Sequence, residues 1–219
     1  MSHTIALISA VQAAIPPAQA ALEAVPDAEV WNILDDRLLT DAEVRGGVDD
    51  HLRARMERLI DHAVAGGADA VLLTCSMYGW VARELNRPVL VLAPDQAAFD
   101  AIVESAPPRL LVIASFPAAL EDSCARLIRE LADAGTPTIV EGTVVGAAKD
   151  AAAKGDVESL GAAIVASIEA RATPVDAVFL AQYSLAPAAD AVACRTGVRV
   201  FTGPGQAAAR ITAAFTAEL

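Results

Sequence analysis

Thr74-Cys75-Ser76 closes an apolar run, Asp69-Ala70-Val71-Leu72-Leu73, and is followed by Met77-Tyr78-Gly79. The pattern predicts a buried strand that delivers a thiol and two hydroxyls to the mouth of a helix starting near Trp80. Unpaired backbone N–H groups and the helix dipole favour negative charge there. The same surroundings lower a thiol's pKa. Cys75 is therefore a candidate acid/base. Thr74 and Ser76 are candidates to hold a carboxylate or the enolate-like charge that forms when a proton leaves the carbon beside it. Small residues at a strand end also permit tight packing, so position alone leaves a structural reading open.

The other reactive side chains read more plainly. A nucleophilic cysteine needs a base at hand; His3 lies at the terminus, and His51 and His62 fall on one predicted helix. Cys124 and Cys194 are expected to be buried, inert thiols on helices. Three widely spaced cysteines make neither a metal pattern nor a disulfide framework, so no metal is expected. Asp35, Asp36 and Asp95 each follow a strand and suit helix caps or turns; Asp95 is kept as a further site candidate, as is Glu141, also placed at a strand end. Arg53, Arg55 and Arg58 read as an exposed helix face, and Trp31 and Trp80 as packing anchors.

The elements that must position these residues alternate between strand and helix. Thr4–Ser9 is a short buried strand, and Pro16-Pro17 opens a helix that stops before Pro26. Ala28–Leu34 is a second strand, closed by Asp35-Asp36. Thr40-Asp41-Ala42-Glu43 has capping-box spacing. Leu52, Met56, Leu59, Ile60 and Ala63 form one apolar helix stripe ended by Gly66-Gly67. Pro88–Leu92 is a strand before a helix that runs to Ser105. Beyond Pro107-Pro108 the pattern restarts: strand Arg109–Ser115, a helix with Leu120, Cys124, Leu127, Ile128 and Leu131 on one face, strand Thr138–Val140 ending at Glu141, a helix from Asp156 to Ala170, the stretch Asp176–Ser184 that matches Asp69–Met77, and a last strand and turn over Val198–Gly205.

The second series echoes the first. RLLVIAS resembles TIALIS, DAVFLAQYS resembles DAVLLTCSM, and Gly203-Pro204-Gly205-Gln206 follows the plan of Ala93-Pro94-Asp95-Gln96. Ordered echoes of this kind argue for two similar α/β halves with parallel sheets covered on both faces. Ligands of such sheets bind outside the carboxyl ends of the strands. The candidates at those ends are Ser9, Thr74, Cys75 and Ser76 in the first half and Ser115, Gln182, Tyr183 and Ser184 in the second.

The 219 residues are 55% hydrophobic with a formal net charge of −12, enough apolar surface for a large core and the wrong sign for a phosphate backbone. Nucleic acid is therefore not an expected partner. No apolar stretch approaches the roughly 20 residues that span a bilayer, and the start lacks a basic leader, so neither a membrane nor a secretory route is expected and the cytoplasm is the default.

Trp31-Asn32-Ile33-Leu34-Asp35-Asp36, GADAVLLTCSMYG, RLLVIASFPAAL and VDAVFLAQYSLA, in that order, resemble the aspartate/glutamate racemase superfamily over essentially the whole chain. The resemblance implies two pseudo-symmetric α/β/α lobes, residues 1–97 plus about 206–219 and residues 98–205, with the active site in the cleft between them. It implies no cofactor, a small carboxylate or carbonyl-containing substrate, and a possible homo-oligomer. It also implies two cysteines, one per lobe, on opposite faces of the reacting carbon. The first falls on Cys75; the second position falls on Gln182, whose amide exchanges no proton at useful pKa. Ser115 stands where the family often has threonine, and Ala119 where another hydroxyl is expected. The leading expectation is a racemase- or epimerase-type isomerase in which Cys75 serves one face and Tyr183, Ser184, Glu141 or water the other. The alternatives are a lyase related to arylmalonate decarboxylase, with Cys75 as proton donor, or a non-catalytic protein that binds a small acid.

Overall fold

The computed structural model describes residues 2–217, the side chain of Glu43 excepted. The chain divides into two compact units, Met1–Ala97 with Pro204–Leu219, and Ala98–Gly203. The first unit runs β1 (His3–Ser9), a 3-10 turn, α1 (Ile15–Leu22), β2 (Ala28–Leu34), α2 (Arg37–Arg45), α3 (Asp50–Ala65), β3 (Ala70–Leu73), a second 3-10 turn (Ser76–Tyr78), α4 (Gly79–Glu84) and β4 (Leu90–Leu92). Helix α5 (Gln96–Ser105) leads into the second unit. That unit runs β5 (Arg109–Ala114), α6 (Pro117–Asp133), β6 (Ile139–Val144), α7 (Gly146–Ala153), α8 (Val157–Glu169), β7 (Ala177–Leu180), a 3-10 segment (Tyr183–Ala188), α9 (Ala189–Thr196) and β8 (Arg199–Thr202). Helix α10 (Gly203–Ala217) brings the chain back to the first unit.

Each unit holds one four-stranded sheet, ordered β2-β1-β3-β4 in the first and β6-β5-β7-β8 in the second. Every strand pair is parallel, as expected where a helix crosses over between successive strands. The central strands β3 and β7 are buried at all four positions, which explains why they read as unbroken apolar runs. Leu52, Met56, Ile60 and Ala63 of α3 pack with Ile8, Val71 and Leu73 in the first core. In the second unit Ile164 and Val165 of α8 pack on one face, with Leu111, Ile113 and Val178. Phe99, Leu127 and Leu131 cover the other, with Val112, Phe179 and Phe201.

Several local expectations change in the fold. Helix α2 begins before Thr40, so no capping box sits there. Asp35 starts that helix instead: its Oδ1 accepts from the Arg37 N–H at 3.3 Å and its carbonyl from the Leu38 N–H at 3.2 Å. On α6 the buried stripe is Ser123, Leu127 and Leu131, and Ile128 is 51% exposed because it lies past the edge of that stripe. Strand β6 runs on to Val144, so Glu141 lies within it rather than at its end. Helix α7, an alanine-rich segment, has no counterpart in the sequence reading. Cys194 is exposed on α9. Cys124 is partly buried, and burial pushes its thiol pKa up.

Candidate functional site

In the first unit the chemistry gathers at the carboxyl end of the sheet. The pairing of β1 with β3 ends at Ile8↔Leu73, and the Thr74 N–H extends it by donating to the Ile8 carbonyl at 3.1 Å. That ladder places Thr74 beside Ser9. Both side chains are buried, and the Thr74 hydroxyl donates to the Ser9 Oγ at 3.1 Å. Cys75, still extended (φ −110°, ψ 116°), is the residue from which the 3-10 turn of Ser76–Tyr78 starts. Its carbonyl accepts from the Tyr78 N–H at 3.2 Å. The helix after that turn, α4, has only six residues, so the dipole expected to favour a thiolate is short.

Tyr78 belongs to this group and was not singled out in the sequence, because an aromatic residue in a turn reads as packing. It is fully buried. Its hydroxyl donates to the Leu38 carbonyl at 2.8 Å. Burial, and next the charge of Cys75, push its phenol up to about 12. Asp95 is also buried, just past β4. Gly79 lets α4 settle against the segment carrying it: a Cβ on Gly79 would lie 3.4 Å from Ala93 Cβ and 3.8 Å from the Asp95 Oδ1.

The carboxyl end of β2 completes the arrangement. The Asp35 N–H donates to the Ser9 carbonyl at 3.0 Å. Its carboxylate takes a two-pronged hydrogen bond from Arg55, at 2.6 and 2.7 Å, and Arg55 also reaches Asp41 at 3.1 Å. Arg55 therefore turns toward the strand ends instead of lying on an exposed helix face, since the fork of a guanidinium matches a carboxylate edge. Arg53 stays on the surface of α3, with Glu57 and Glu84 as partners and its guanidinium over the Trp80 ring.

In the second unit Ser115, Gln182, Tyr183 and Ser184 likewise lie beyond the carboxyl ends of β5 and β7. Ser115 and Tyr183 are buried, and Gln182 and Ser184 partly so. The Ser115 N–H donates to the Gln182 Oε1 at 2.7 Å. Glu141 is not with them. It pairs in register with Leu111, well short of the strand end, and is held between Arg109 and Arg171. The Arg171 hydrogen bond in particular lowers its carboxyl pKa. Two surface recesses lie at the opposite ends of the sheets. One, of about 320 Å³, is lined by Arg171, Pro174, Arg195 and Val198 among others; the other, about 100 Å³, by residues including His3, Asp27 and Phe215. Neither holds a candidate residue. Among the described residues no group of three or more His, Cys, Asp or Glu side chains could hold a metal ion, and no helix is long and apolar enough to cross a membrane.

The architecture has clear counterparts among solved structures. An aspartate racemase of Picrophilus torridus matches over 97% of this chain and 95% of its own, with a TM-score of 0.71 at 13% identity. The glutamate racemase of Francisella tularensis, solved with D-glutamate, matches over 99% and 82%, with a TM-score of 0.69 at 12% identity. The allantoin racemase of Klebsiella pneumoniae matches over 99% and 88%, with a TM-score of 0.67 at 17% identity. This chain has the aspartate/glutamate racemase fold. No protein-family model and no curated protein sequence matches it.

Strand register defines which positions of the two halves of this racemase fold correspond. Ile8↔Leu73 in the first sheet answers Ile113↔Leu180 in the second, and Thr74 N–H to Ile8 O answers Ala181 N–H to Ile113 O. Cys75 thus corresponds to Gln182, Thr74 to Ala181 and Tyr78 to Leu185. Asp35 N–H to Ser9 O answers Val145 N–H to Ala114 O, so Ser9 corresponds to Ala114. Ser115 sits one residue further along, at the position of Ala10. The thiol, both hydroxyls and the phenol of the first half are each replaced in the second, three of them by alanine or leucine.

Proposed function

We propose that the protein is a cofactor-independent racemase- or epimerase-type isomerase acting at a carbon next to a carboxylate or carbonyl, with Cys75 as its acid/base. The observation that carries this reading is the placement of Cys75 at the carboxyl end of β3, one residue beyond the buried Thr74–Ser9 pair. A thiolate there takes the proton from the carbon. Thr74, Ser9 and Ser76 are assigned to binding the substrate's oxygens, and backbone N–H groups of the Ser76–Tyr78 turn to the negative charge that develops during deprotonation. The fold it shares with aspartate, glutamate and allantoin racemases supports substrates with such a carbon.

The replacement of a second thiol by Gln182 favours one-sided chemistry. A carboxamide neither takes nor gives a proton near neutral pH, so the opposite face is left to water, Tyr183 or Ser184. A substrate whose C–H is already acidic, such as a 5-substituted hydantoin or a keto acid, needs less help. The same asymmetry favours a second reading, decarboxylation of a malonate-like acid, in which loss of CO2 leaves a carbanion and one proton donor suffices.

The test is incubation with D- and L-aspartate, D- and L-glutamate and a 5-substituted hydantoin in heavy water, following deuterium at the carbon. Exchange is expected with at least one of them, and Cys75→Ala is expected to abolish it. CO2 release from a substituted malonate, without exchange in the amino acids or the hydantoin, selects the lyase. Activity that survives Cys75→Ala overturns the assignment of the thiol.

A further inference from the structure

The Ser115–Gln182 hydrogen bond fixes which way the Gln182 carboxamide faces. A backbone N–H only donates, so its partner at 2.7 Å is the amide oxygen. The amide nitrogen, with two N–H groups, is left directed away from Ser115. Gln182 is extended (φ −136°, ψ 142°), and its side chain does not cap the 3-10 segment that follows. Among the described residues the bond from Ser115 is the hydrogen bond its side chain makes. Ala114, Ala181 and Leu185 stand where the first half has Ser9, Thr74 and Tyr78, and Tyr183 and Ser184 follow Gln182 directly.

We infer that Gln182, held by the Ser115 N–H, is a specificity-determining residue that presents a fixed pair of N–H donors to an oxygen of the substrate, a carboxylate or ring-carbonyl oxygen, and rejects an ammonium group. This rests on the functional reading above in taking the oxygen to belong to the same substrate. The donor is pre-oriented because its own acceptor is already used, so little rotamer freedom is lost on binding. An ammonium facing it meets donor against donor, and a buried donor left unmatched costs the desolvation of that group. At the position equivalent to Cys75 the second half carries an amide donor in place of a thiol. Binding at this position is therefore separated from proton transfer.

The experiment uses the full-length chain labelled with 15N. The Gln182 side-chain NH2 signals are assigned by their loss in Gln182→Met, a change that also tests the internal bond: the Ser115 amide proton is expected to move upfield. Succinate and hydantoin serve as probes of a carboxylate and a neutral carbonyl, and methylammonium chloride as the donor control. Succinate or hydantoin is expected to shift the Gln182 NH2 protons downfield, and methylammonium to leave them unmoved. Gln182→Glu, which keeps an oxygen for Ser115 but loses the donors, is expected to weaken succinate binding on the order of tenfold or more. A Ser115 amide indifferent to Gln182→Met, or NH2 signals unmoved by both succinate and hydantoin, overturns the inference. NH2 shifts in a protein that shows neither hydrogen exchange nor CO2 release support the donor site while retiring the enzymatic reading. Exchange with silent NH2 signals retires the donor site and keeps the enzyme.

Discussion

Tyr78 is a residue whose chemistry is altered by its place. Its phenol is enclosed by the first core and hydrogen-bonded to Leu38, and its pKa is raised to about 12, first by burial and then by the neighbouring charge of Cys75. An unfolded tyrosine ionises near 10.0. Above that value the unfolded chain loses the proton while the folded chain keeps it, so the unfolded state binds fewer protons and stability falls as pH rises from about 10 toward about 12. Chemical denaturation across that range is expected to show this decline, and Tyr78→Phe is expected to flatten it. At neutral pH the same variant loses one neutral hydrogen bond, about 0.5–1.5 kcal/mol. The Cys194 thiol, by contrast, is exposed on α9 and plays no part in the candidate site.

Helix α3 is the element that connects core and site. One face buries Leu52, Met56, Ile60 and Ala63 against the sheet, and Arg55 on its flank reaches Asp35 and Asp41 beside the strand ends. A close approach marks its carboxyl end. A Cβ on Gly66 would lie 2.6 Å from two atoms of the Trp31 ring, which packs against the first core and edge-on to His62. A rigid indole gives way less readily than a flexible chain end, so Gly66→Ala is expected to destabilise by about 1–3 kcal/mol, read as a lower urea midpoint with an unchanged slope. At Gly142 the nearest atoms to an added Cβ belong to the flexible Leu120 side chain, at 3.1–3.2 Å. Gly142→Ala is expected to cost less, and a larger loss there than at Gly66 would show that the indole is not the obstacle.

On the scale of the whole molecule two properties stand out: duplication of the architecture and a large excess of acidic charge. Each unit has a four-stranded parallel sheet with its own apolar core, yet the reactive groups are distributed unequally between the units. The net charge of −12 makes the folded chain repel itself. Exposed ion pairs such as Arg45–Asp49 and Arg53–Glu84 contribute little each. Raising the salt from a few millimolar to a physiological level shortens the screening length to about 8 Å and is expected to raise Tm, because weakened repulsion outweighs weakened surface pairs. A falling Tm over that range would assign the larger contribution to the pairs.

The sequence by itself determined the parallel α/β plan, the repeat and the position of Cys75 at a strand end. These depend on local apolar runs, helical stripes and the polar residues that interrupt them, all of which are encoded within a few residues of each other. Only the tertiary structure decided which residues correspond between the halves, that Ser115 is offset from Ser9, that Glu141 is held by two arginines within a strand, that Arg55 turns inward, and that the Gln182 side-chain oxygen accepts from the Ser115 N–H. Each of these depends on register or contact between segments distant in the chain. A parallel ladder fixes such pairings by packing and hydrogen bonding across strands, and no local pattern records them.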